Sequence, residues 1–334
     1  MAHLAAQHVF VVGGNGFLGM HGGGCSAVCK AAVARGWKVT SISSSGQPYR
    51  TPKGHTPAWA NKVNFHKASA LDPSTYRTLI EPCTAVVHTL GILLESPRYK
   101  SAVRSSSIGG LVSAFGHAWG LGAAGNPLTR PLPGEEGTYE QINTEAALKV
   151  LETYASLTPA AGSARPFVYI SAEDIFRPLV PARYIESKRA AEAAITREGR
   201  PDRPSMMHRL GLMYHPHTRP LTTPIATLLD ISAKLHQKLP IPGPANLLRA
   251  FTSTELARRL HPIGGTTSLD TPLESMARAL ETPPIHVEHV AQAACEAIAR
   301  SDLSGPYGVR DMRRLIGWEG EVGAKAGRPE AHIV

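Results

Sequence analysis

The sequence predicts an α/β fold: a doubly wound parallel sheet with a small, partly irregular C-terminal lobe. Three observations carry this. Short β-branched runs alternate with helix-period segments up to Tyr214, and such alternation builds parallel strands joined by crossover helices. The first run, Val9-Phe10-Val11-Val12, drops straight into Gly13, Gly14, Gly16 and Gly19. The chain of 334 residues, 43% hydrophobic and 18% charged, is long and apolar enough for a real core.

The elements follow in order. Val9–Val12 is the first strand, Ala27–Arg35 a helix closed by Gly36, and Lys38–Ile42 the second strand. The Pro-, Gly- and Ser-rich stretch Ser43–Pro57 is a loop. Val63–His66 is a third strand and Pro73–Ile80 a helix with proline in its first turn. Ala85–Thr89 is the fourth strand, 116–137 a surface loop, and Tyr139–Tyr154 a helix. Phe167–Ser171 is the fifth strand, Ala182–Thr196 a helix, and Met206–Leu210 the sixth strand. Beyond Tyr214 the alternation stops. Pro224–Leu239 reads as an amphipathic helix, with Ile225, Leu228, Leu229, Leu235 and Leu239 on one side and Asp230, Lys234 and Lys238 on the other. It is expected to lay its apolar stripe on its own core rather than on a membrane surface. Residues 243–283 are the least legible, Val287–Ala299 is a last helix, and the tail beyond Gly317 is expected to fray. The expected division is 1–214 as a nucleotide-binding domain, 215–283 as a variable lobe, 284–316 as a helix and strand completing the fold, and 317–334 as tail.

Charge and cysteine content narrow the function classes. Net charge is +9, yet residues 1–71 hold no Asp or Glu while carrying Lys30, Arg35, Lys38, Arg50, Lys53, Lys62 and Lys67. A basic first half suits phosphate-rich ligands and, more weakly, an imported organellar protein. No aromatic-rich basic strand supports nucleic acid as the partner. Cys25, Cys29, Cys83 and Cys295 are scattered and read as reduced packing residues. The 15 histidines lack metal-ligand spacing, so no metal is expected. No run of about 18 apolar residues is present to span a membrane. No secretory signal is recognised, and Met1–His8 is read as too short for a transit peptide ahead of the first strand.

The glycine run Gly13-Gly14-Asn15-Gly16-Phe17-Leu18-Gly19 fits a dinucleotide-binding fingerprint. One glycine permits the tight strand-to-helix turn, the next lets a pyrophosphate approach the backbone, and the last lets helix and strand pack closely. Downstream, Tyr184 and Lys188 are four residues apart, on one helix face. An ammonium there stabilises phenolate and brings the tyrosine toward a useful range for proton transfer. Ser171 ends the fifth strand, where strand ends face a ligand crevice and a hydroxyl can bond a substrate carbonyl. Asn143, early in the preceding helix, is placed to order a water beside Lys188. His21-Gly22-Gly23-Gly24 spells an esterase-like oxyanion loop, but the chain has no Gly-x-Ser-x-Gly elbow, which excludes a hydrolase of that type.

With those residues in hand, the chain resembles the short-chain dehydrogenase/reductase superfamily in its extended or atypical branch. The fingerprint, the strand end Val86-Val87-His88-Thr89-Leu90-Gly91, and Ser171, Tyr184 and Lys188 carry the match. Phe167-Val168-Tyr169-Ile170-Ser171-Ala172 and Pro283-Pro284-Ile285-His286-Val287 narrow it toward the fungal mitochondrial coenzyme Q biosynthesis members; the nucleotide-binding accessory subunit of complex I is a further relative. The resemblance implies a Rossmann-type fold and NAD(P) binding through Gly13–Gly19, Ser43, Ser44, Ser69, His88, Gly91, Tyr184 and Lys188. Ser171, Tyr184, Lys188 and Asn143 are implied as catalytic. It also implies a mitochondrial, matrix-side protein peripheral to the inner membrane, partnered by ubiquinone-biosynthesis proteins, acting as a bound-nucleotide subunit or an oxidoreductase. A structural nucleotide binder like the complex I subunit, and a nucleotide-sugar epimerase or dehydratase, are the alternatives.

The sequence departs from the family pattern in four places. No acid closes the second strand to grip a ribose 2′-OH; Ser43, Ser44 and Ser45 with Arg50 suit a 2′-phosphate, so NADP is favoured over NAD. Ser69 stands where an adenine-contacting acid or amide is usual. Arg209-Leu210-Gly211 replaces an Arg-Pro-Gly turn. Met20–Cys25 inserts three consecutive glycines, each costing about 1 kcal/mol in a helix relative to Ala, and is expected to delay or break the helix after the fingerprint.

Overall fold

β1 (His8–Val12) is buried along its whole length, as a central parallel strand must be when both sheet faces are covered. In this computed structural model the described residues are 7–13, 24–51, 53–91, 138–157, 165–177, 179–199, 204–214, 222–238, 243–252, 269–300 and 302–318. β1 pairs in parallel with β2 (Lys38–Ser43) on one side and β4 (Ala85–His88) on the other, with Val12 opposite Ile42 and His88. β3 (Val63–Lys67), β5 (Phe167–Ala172), β6 (Ser205–Leu210) and β9 (Gly305–Tyr307) complete a seven-stranded parallel sheet of order β3-β2-β1-β4-β5-β6-β9. This is the doubly wound topology predicted, and its order reverses between β1 and β4. β7 (Met213–Tyr214) and β8 (Ile285–His286) form a separate parallel pair.

Each sheet face carries its own core. On one, α1 (Gly24–Ala34) packs against α8 (Val287–Ala299) over Val9, Val11, Val87 and Val168. On the other, α2 (Arg77–Ile80), α3 (Ala146–Ser156) and α4 (Ala182–Arg197) cover Phe10, Val12, Val86 and Tyr169. Burying each such side chain contributes roughly 1.5–3 kcal/mol. The period-two alternation of β1 thus feeds both layers. The buried cysteines Cys29, Cys83 and Cys295 are free and sit in these layers, with the thiols of Cys83 and Cys295 pushed up to about 12 by burial.

Several elements differ from expectation. α1 is already helical at Gly24, the last of three glycines, and ends at Ala34, two residues before Gly36, whose φ of +74° suits a glycine just past a helix C-terminus. The helix expected over Pro73–Ile80 is split. Asp72 caps a 3₁₀ turn by accepting from the Ser74 N–H, and Tyr76, at φ −137°, separates that turn from α2. Residues 243–283, illegible in the sequence, hold α6 (Pro244–Thr252) and α7 (Pro272–Glu281); Thr271 caps α7 by accepting from the Glu274 N–H. α5 (Thr222–Lys238) and α9 (Val309–Leu315) complete the described helices. The loop read at 116–137 lies outside the described residues, as does the tail from 319.

α5 is turned from its expected orientation: of the expected inner stripe Leu229 is buried, but Ile225, Leu228 and Leu235 are not. Ala226, Leu229 and Ala233 are its buried face, while Ile225, Leu228, Ile231 and Leu235 are exposed. Small residues let it approach α7, whose Ala277 and Ala279 are also buried.

The turn after β1 explains one glycine. Gly13 adopts φ +101°, and a Cβ there would lie 2.9 Å from Thr89 Oγ1 and 3.0 Å from Leu90 Cδ2. The Thr89 hydroxyl donates to the Val12 carbonyl at 2.7 Å, so the end of β4 is drawn against the end of β1. Gly13→Ala combines strain and overlap and is expected to destabilise by about 1–3 kcal/mol. A melting temperature unchanged from wild type would contradict this reading of the turn.

Candidate functional site

The crevice outside the carboxyl ends of β1, β4 and β5 is where this topology places a ligand. Lys188, in the second turn of α4, reaches it as a fully buried ammonium. Its Nζ donates to the Leu90 carbonyl at 3.1 Å, just past β4, and to the Ile170 carbonyl at 3.0 Å, in β5. The same Nζ lies 4.7 Å from the centre of the Tyr169 ring. Burial pulls the Lys188 pKa down to about 7, with Glu192 acting in the opposite sense. Glu192, one turn along α4, is already engaged by Arg209 at 2.6 Å and Arg189 at 2.6 Å, which limits its help. Desolvation of the charged form therefore dominates.

Gly91 completes the pocket around that ammonium. A Cβ on Gly91 would sit 2.8 Å from Lys188 Nζ and 3.3 Å from Asn143 Oδ1. Asn143 is held in a π-helical turn, Glu140–Glu145, a helix irregularity frequent at functional sites. Its Nδ2 donates to Ser187 Oγ at 3.0 Å, and Ser187 Oγ donates to the Tyr184 carbonyl at 2.8 Å. The Asn143 carbonyl accepts the Tyr169 phenol at 2.6 Å. Thr144 adds a bond to the Ser187 carbonyl at 2.8 Å. The structure thus brings Gly91 against both the Lys188 ammonium and Asn143, and a separate hydrogen-bond chain runs from Asn143 through Ser187 to the backbone carbonyl of Tyr184. Tyr184 is half-buried, with its ring edge-on to Tyr139 at 6.0 Å between centroids.

Ser171 flanks the cluster, next in β5 to the Ile170 carbonyl that Lys188 holds. Its hydroxyl is buried with no hydrogen-bond partner among the described residues. A buried hydroxyl at a strand end can donate a hydrogen bond to a polar ligand atom as well as accept one. His88, the last residue of β4, is fully buried beside Tyr169, ring centroids 5.7 Å apart, and neither ring nitrogen has a protein partner. Burial, reinforced by the Lys188 charge, holds its pKa down at about 3, so the ring is neutral at physiological pH.

At the far edge, Ser43 is engaged internally: its hydroxyl accepts from the Gly46 N–H at 3.0 Å and closes the turn after β2. Gly46 has φ +65°, and a Cβ there would meet the Lys67 nitrogen at 2.5 Å. Ser44, within that turn, and Arg50, beyond it, are exposed. Ser69 lies on an exposed turn after β3, where its hydroxyl accepts from the Leu71 N–H at 3.3 Å. Gly14, Asn15, Gly16, Phe17, Leu18 and Gly19 lie outside the described residues. Among described residues no cluster of His, Cys, Asp and Glu could hold a metal.

Sequence reasoning missed Thr89, Tyr169 and Ser187, which position the site. Tyr169 was signalled only by its alternation with Ser171 along β5, and Ser187 by its place between Tyr184 and Lys188.

With this geometry in view, a relative resolves the family. The MIOREX complex component 2 of Saccharomyces cerevisiae is 33% identical over 216 residues, covering 63% of this chain and 73% of that protein. The chain belongs to that protein's family. No family model matches the chain. Among solved structures, a short-chain type dehydrogenase/reductase from Mycobacterium ulcerans overlays with a TM-score of 0.49 at 14% identity, covering 92% of this chain and 90% of its own. The Bordetella bronchiseptica enzyme WbmF, in complex with NAD+ and UDP, overlays with a TM-score of 0.47 at 17% identity, covering 98% of this chain and 82% of its own.

Lys188 makes stability depend on pH in a predictable direction. Its folded pKa, about 7, lies below its ordinary value of 10.5. Below about 7 both states carry the charge, and the folded protein bears the full burial penalty. Between the two values the unfolded chain binds the proton that the native state has released, so stability rises with pH. Lys188→Met lacks this contribution. Denaturant unfolding at pH 6 and pH 9.5 is expected to show wild type gaining on the variant as pH rises; parallel behaviour would overturn the burial argument.

Proposed function

We propose that this protein binds a nicotinamide dinucleotide, NADP in preference to NAD, and works as a short-chain dehydrogenase/reductase-like subunit in mitochondrial ubiquinone synthesis. On this reading 1–214 with 284–316 form the nucleotide-binding body and 215–283 the lobe that shapes the substrate side. The protein sits with its complex partners on the inner membrane, on the matrix side.

The observation that carries the site reading is the buried ammonium of Lys188 at the joined ends of β4 and β5, beside the unmatched hydroxyl of Ser171. Residues at this crevice fit a dinucleotide. Gly13 permits the turn that a phosphate cradle needs, Gly91 leaves room at the ammonium, and Ser44 and Arg50 stand exposed past β2 for a 2′-phosphate. When bound, the nicotinamide supplies a hydride donor or acceptor. The chain's residues handle the rest. Tyr184 gives or takes a proton at the substrate oxygen, Lys188 stabilises its phenolate while charged, and Ser171 donates a hydrogen bond to that oxygen. Asn143 acts through Ser187 on the backbone of Tyr184 and is a positioning residue. The sequence resemblance supports the quinone pathway and the compartment, and the relative's name as a complex component supports membership of an assembly.

Calorimetry on the purified protein tests the binding. NADPH is expected to bind more tightly than NADH, and absence of heat with either, or with their oxidised forms, would sink the reading. Tyr184→Phe then tests chemistry. In cells dependent on this protein it is expected to lower ubiquinone while leaving nucleotide binding and complex assembly intact. Undiminished ubiquinone would leave a bound-nucleotide subunit without catalysis.

A further inference from the structure

The crossover from β2 to β3 carries a positive surface that the nucleotide site does not use. Residues 1–71 hold no acid. Lys30 and Arg35 of α1 are spent on Glu288 at 2.6 Å and Glu296 at 2.5 Å, both in α8. The next acid along the chain, Asp72, is folded back on the N–H and hydroxyl of Ser74. Lys53, Lys62 and Lys67 are exposed, and their side chains have neither an ion pair nor a hydrogen bond among the described residues. Arg50, exposed and equally unpaired, is left to the 2′-phosphate proposed above.

The fold sets the three lysines around one edge. β3 is the outermost strand of the sheet. Lys62 precedes its first residue and Lys67 is its last, so about 17 Å separates them at the rise of an extended strand. Lys53 sits on a turn in which the His55 carbonyl accepts from the Thr51 N–H at 2.8 Å and the Thr51 carbonyl accepts from the Gly54 N–H at 2.7 Å. Trp59 lies between Lys53 and Lys62, in a 3₁₀ turn over Ala58–Lys62. It stacks on Tyr49, with ring centroids 5.6 Å and planes 23° apart. Both residues are partly exposed. The sequence shows no aromatic-rich basic strand because Tyr49 and Trp59 stand ten residues apart; the crossover folds them together.

Edge lysines guard a strand against unwanted pairing. That role does not account for Lys53, which is off the strand, or for an aromatic pair among the cations. A bilayer takes apolar side chains below its headgroups, and none of the exposed large hydrophobic residues lies in this segment. An acidic protein segment would match the charges and leave the rings unused. A single nucleic-acid strand matches both, with phosphates for the lysines and the flat face of an unpaired base for the rings.

We propose that the β2–β3 crossover and the outer edge of β3 form a binding surface for single-stranded nucleic acid. Lys53, Lys62 and Lys67 hold its phosphates and the Tyr49–Trp59 pair takes a base. The surface goes beyond the function proposed above and does not rest on it.

The test is fluorescence anisotropy of a labelled oligouridine with the full chain, in salt from about 50 to 200 mM. Wild type is expected to bind, with affinity falling as salt rises. Lys53→Gln/Lys62→Gln/Lys67→Gln is expected to bind about tenfold or more weakly. Its slope of log K on log salt is expected to flatten by about 2, from three phosphate contacts at about 0.7 each. Lys53→Arg/Lys62→Arg/Lys67→Arg keeps the charges and is expected to retain both affinity and slope. Tyr49→Leu is expected to weaken binding by about fivefold or more at unchanged slope, because stacking releases no counterions. The lysines are exposed and Arg50 is untouched, so the lysine variants are expected to match wild type in melting temperature and NADPH affinity. Equal binding by wild type and the glutamine variant overturns the proposal. Unchanged affinity in Tyr49→Leu overturns it too, since the surface would then take any polyanion. Polyglutamate binding wild type as tightly as oligouridine assigns the surface to an acidic protein, and tighter flotation with cardiolipin vesicles assigns it to a membrane; either sinks it. Failure of NADPH to bind, with oligouridine binding and its salt slope intact, would defeat the nucleotide reading and leave this surface standing.

Discussion

The buried ammonium of Lys188 is the constraint around which the site is arranged. A charge in a dry interior is costly unless oxygens surround it. Here the carbonyls of Leu90 and Ile170 supply them, and both come from strands that end at the same crevice. Holding one cation from two strand ends fixes the position of α4 over the sheet. It requires Gly91 to carry no side chain, and its charge adds to the burial that keeps the His88 ring neutral beside it. The remaining cost appears as the depressed pKa, which leaves the ammonium able to lose its proton near neutrality.

A second set of ionic contacts holds the C-terminal lobe to the sheet. Asp174, just after β5, is buried between Arg177 at 2.6 Å and Arg278 of α7 at 3.2 Å, and Arg177 also donates to the Asp270 carbonyl. Arg249 of α6 bridges Glu274 and Glu281 of α7. Arg313 of α9 reaches Asp230 of α5 and the Pro284 carbonyl. Within this lobe the buried apolar residues of α5 and α7 are mostly alanines, so directional pairs supply much of the specificity that a larger core would otherwise provide. The next residue but one after Asp174, Phe176, has φ +64°, a conformation a non-glycine residue keeps only where its surroundings hold it. It lies between Asp174 and Arg177, which are paired across it, on the loop leading from Ser171 to α4.

The strands and crossover helices were legible because parallel strands buried on both faces require near-continuous β-branched runs, and Val9–Val12, Ala85–His88 and Phe167–Ala172 carry them. Tyr184 and Lys188 were legible because four-residue spacing on a helix is a local rule. Other features were not. Tyr76 breaks the expected Pro73–Ile80 helix through its backbone angles, which no periodicity records. The π-helical turn that sets Asn143 depends on contacts with Ser187 and Tyr169 from other elements. The helices α6 and α7 lie in Pro-rich sequence whose propensity is overridden by caps and arginine bridges.

By itself, the sequence determined the parallel sheet, its order of elements, the glycine turn after β1 and the pairing of a tyrosine with a lysine on one helix face. Each follows from local backbone sterics and hydrophobic period. Only the tertiary structure decided that Lys188 is buried and bonded to two strand ends, that Ser43 is spent on its own turn, and that α5 buries Ala226, Leu229 and Ala233 while exposing Ile225, Leu228, Ile231 and Leu235. Those outcomes depend on which surfaces meet. A helix with apolar residues on two sides has no preferred inner face until packing against α7 selects one, here the side carrying Ala226, Leu229 and Ala233.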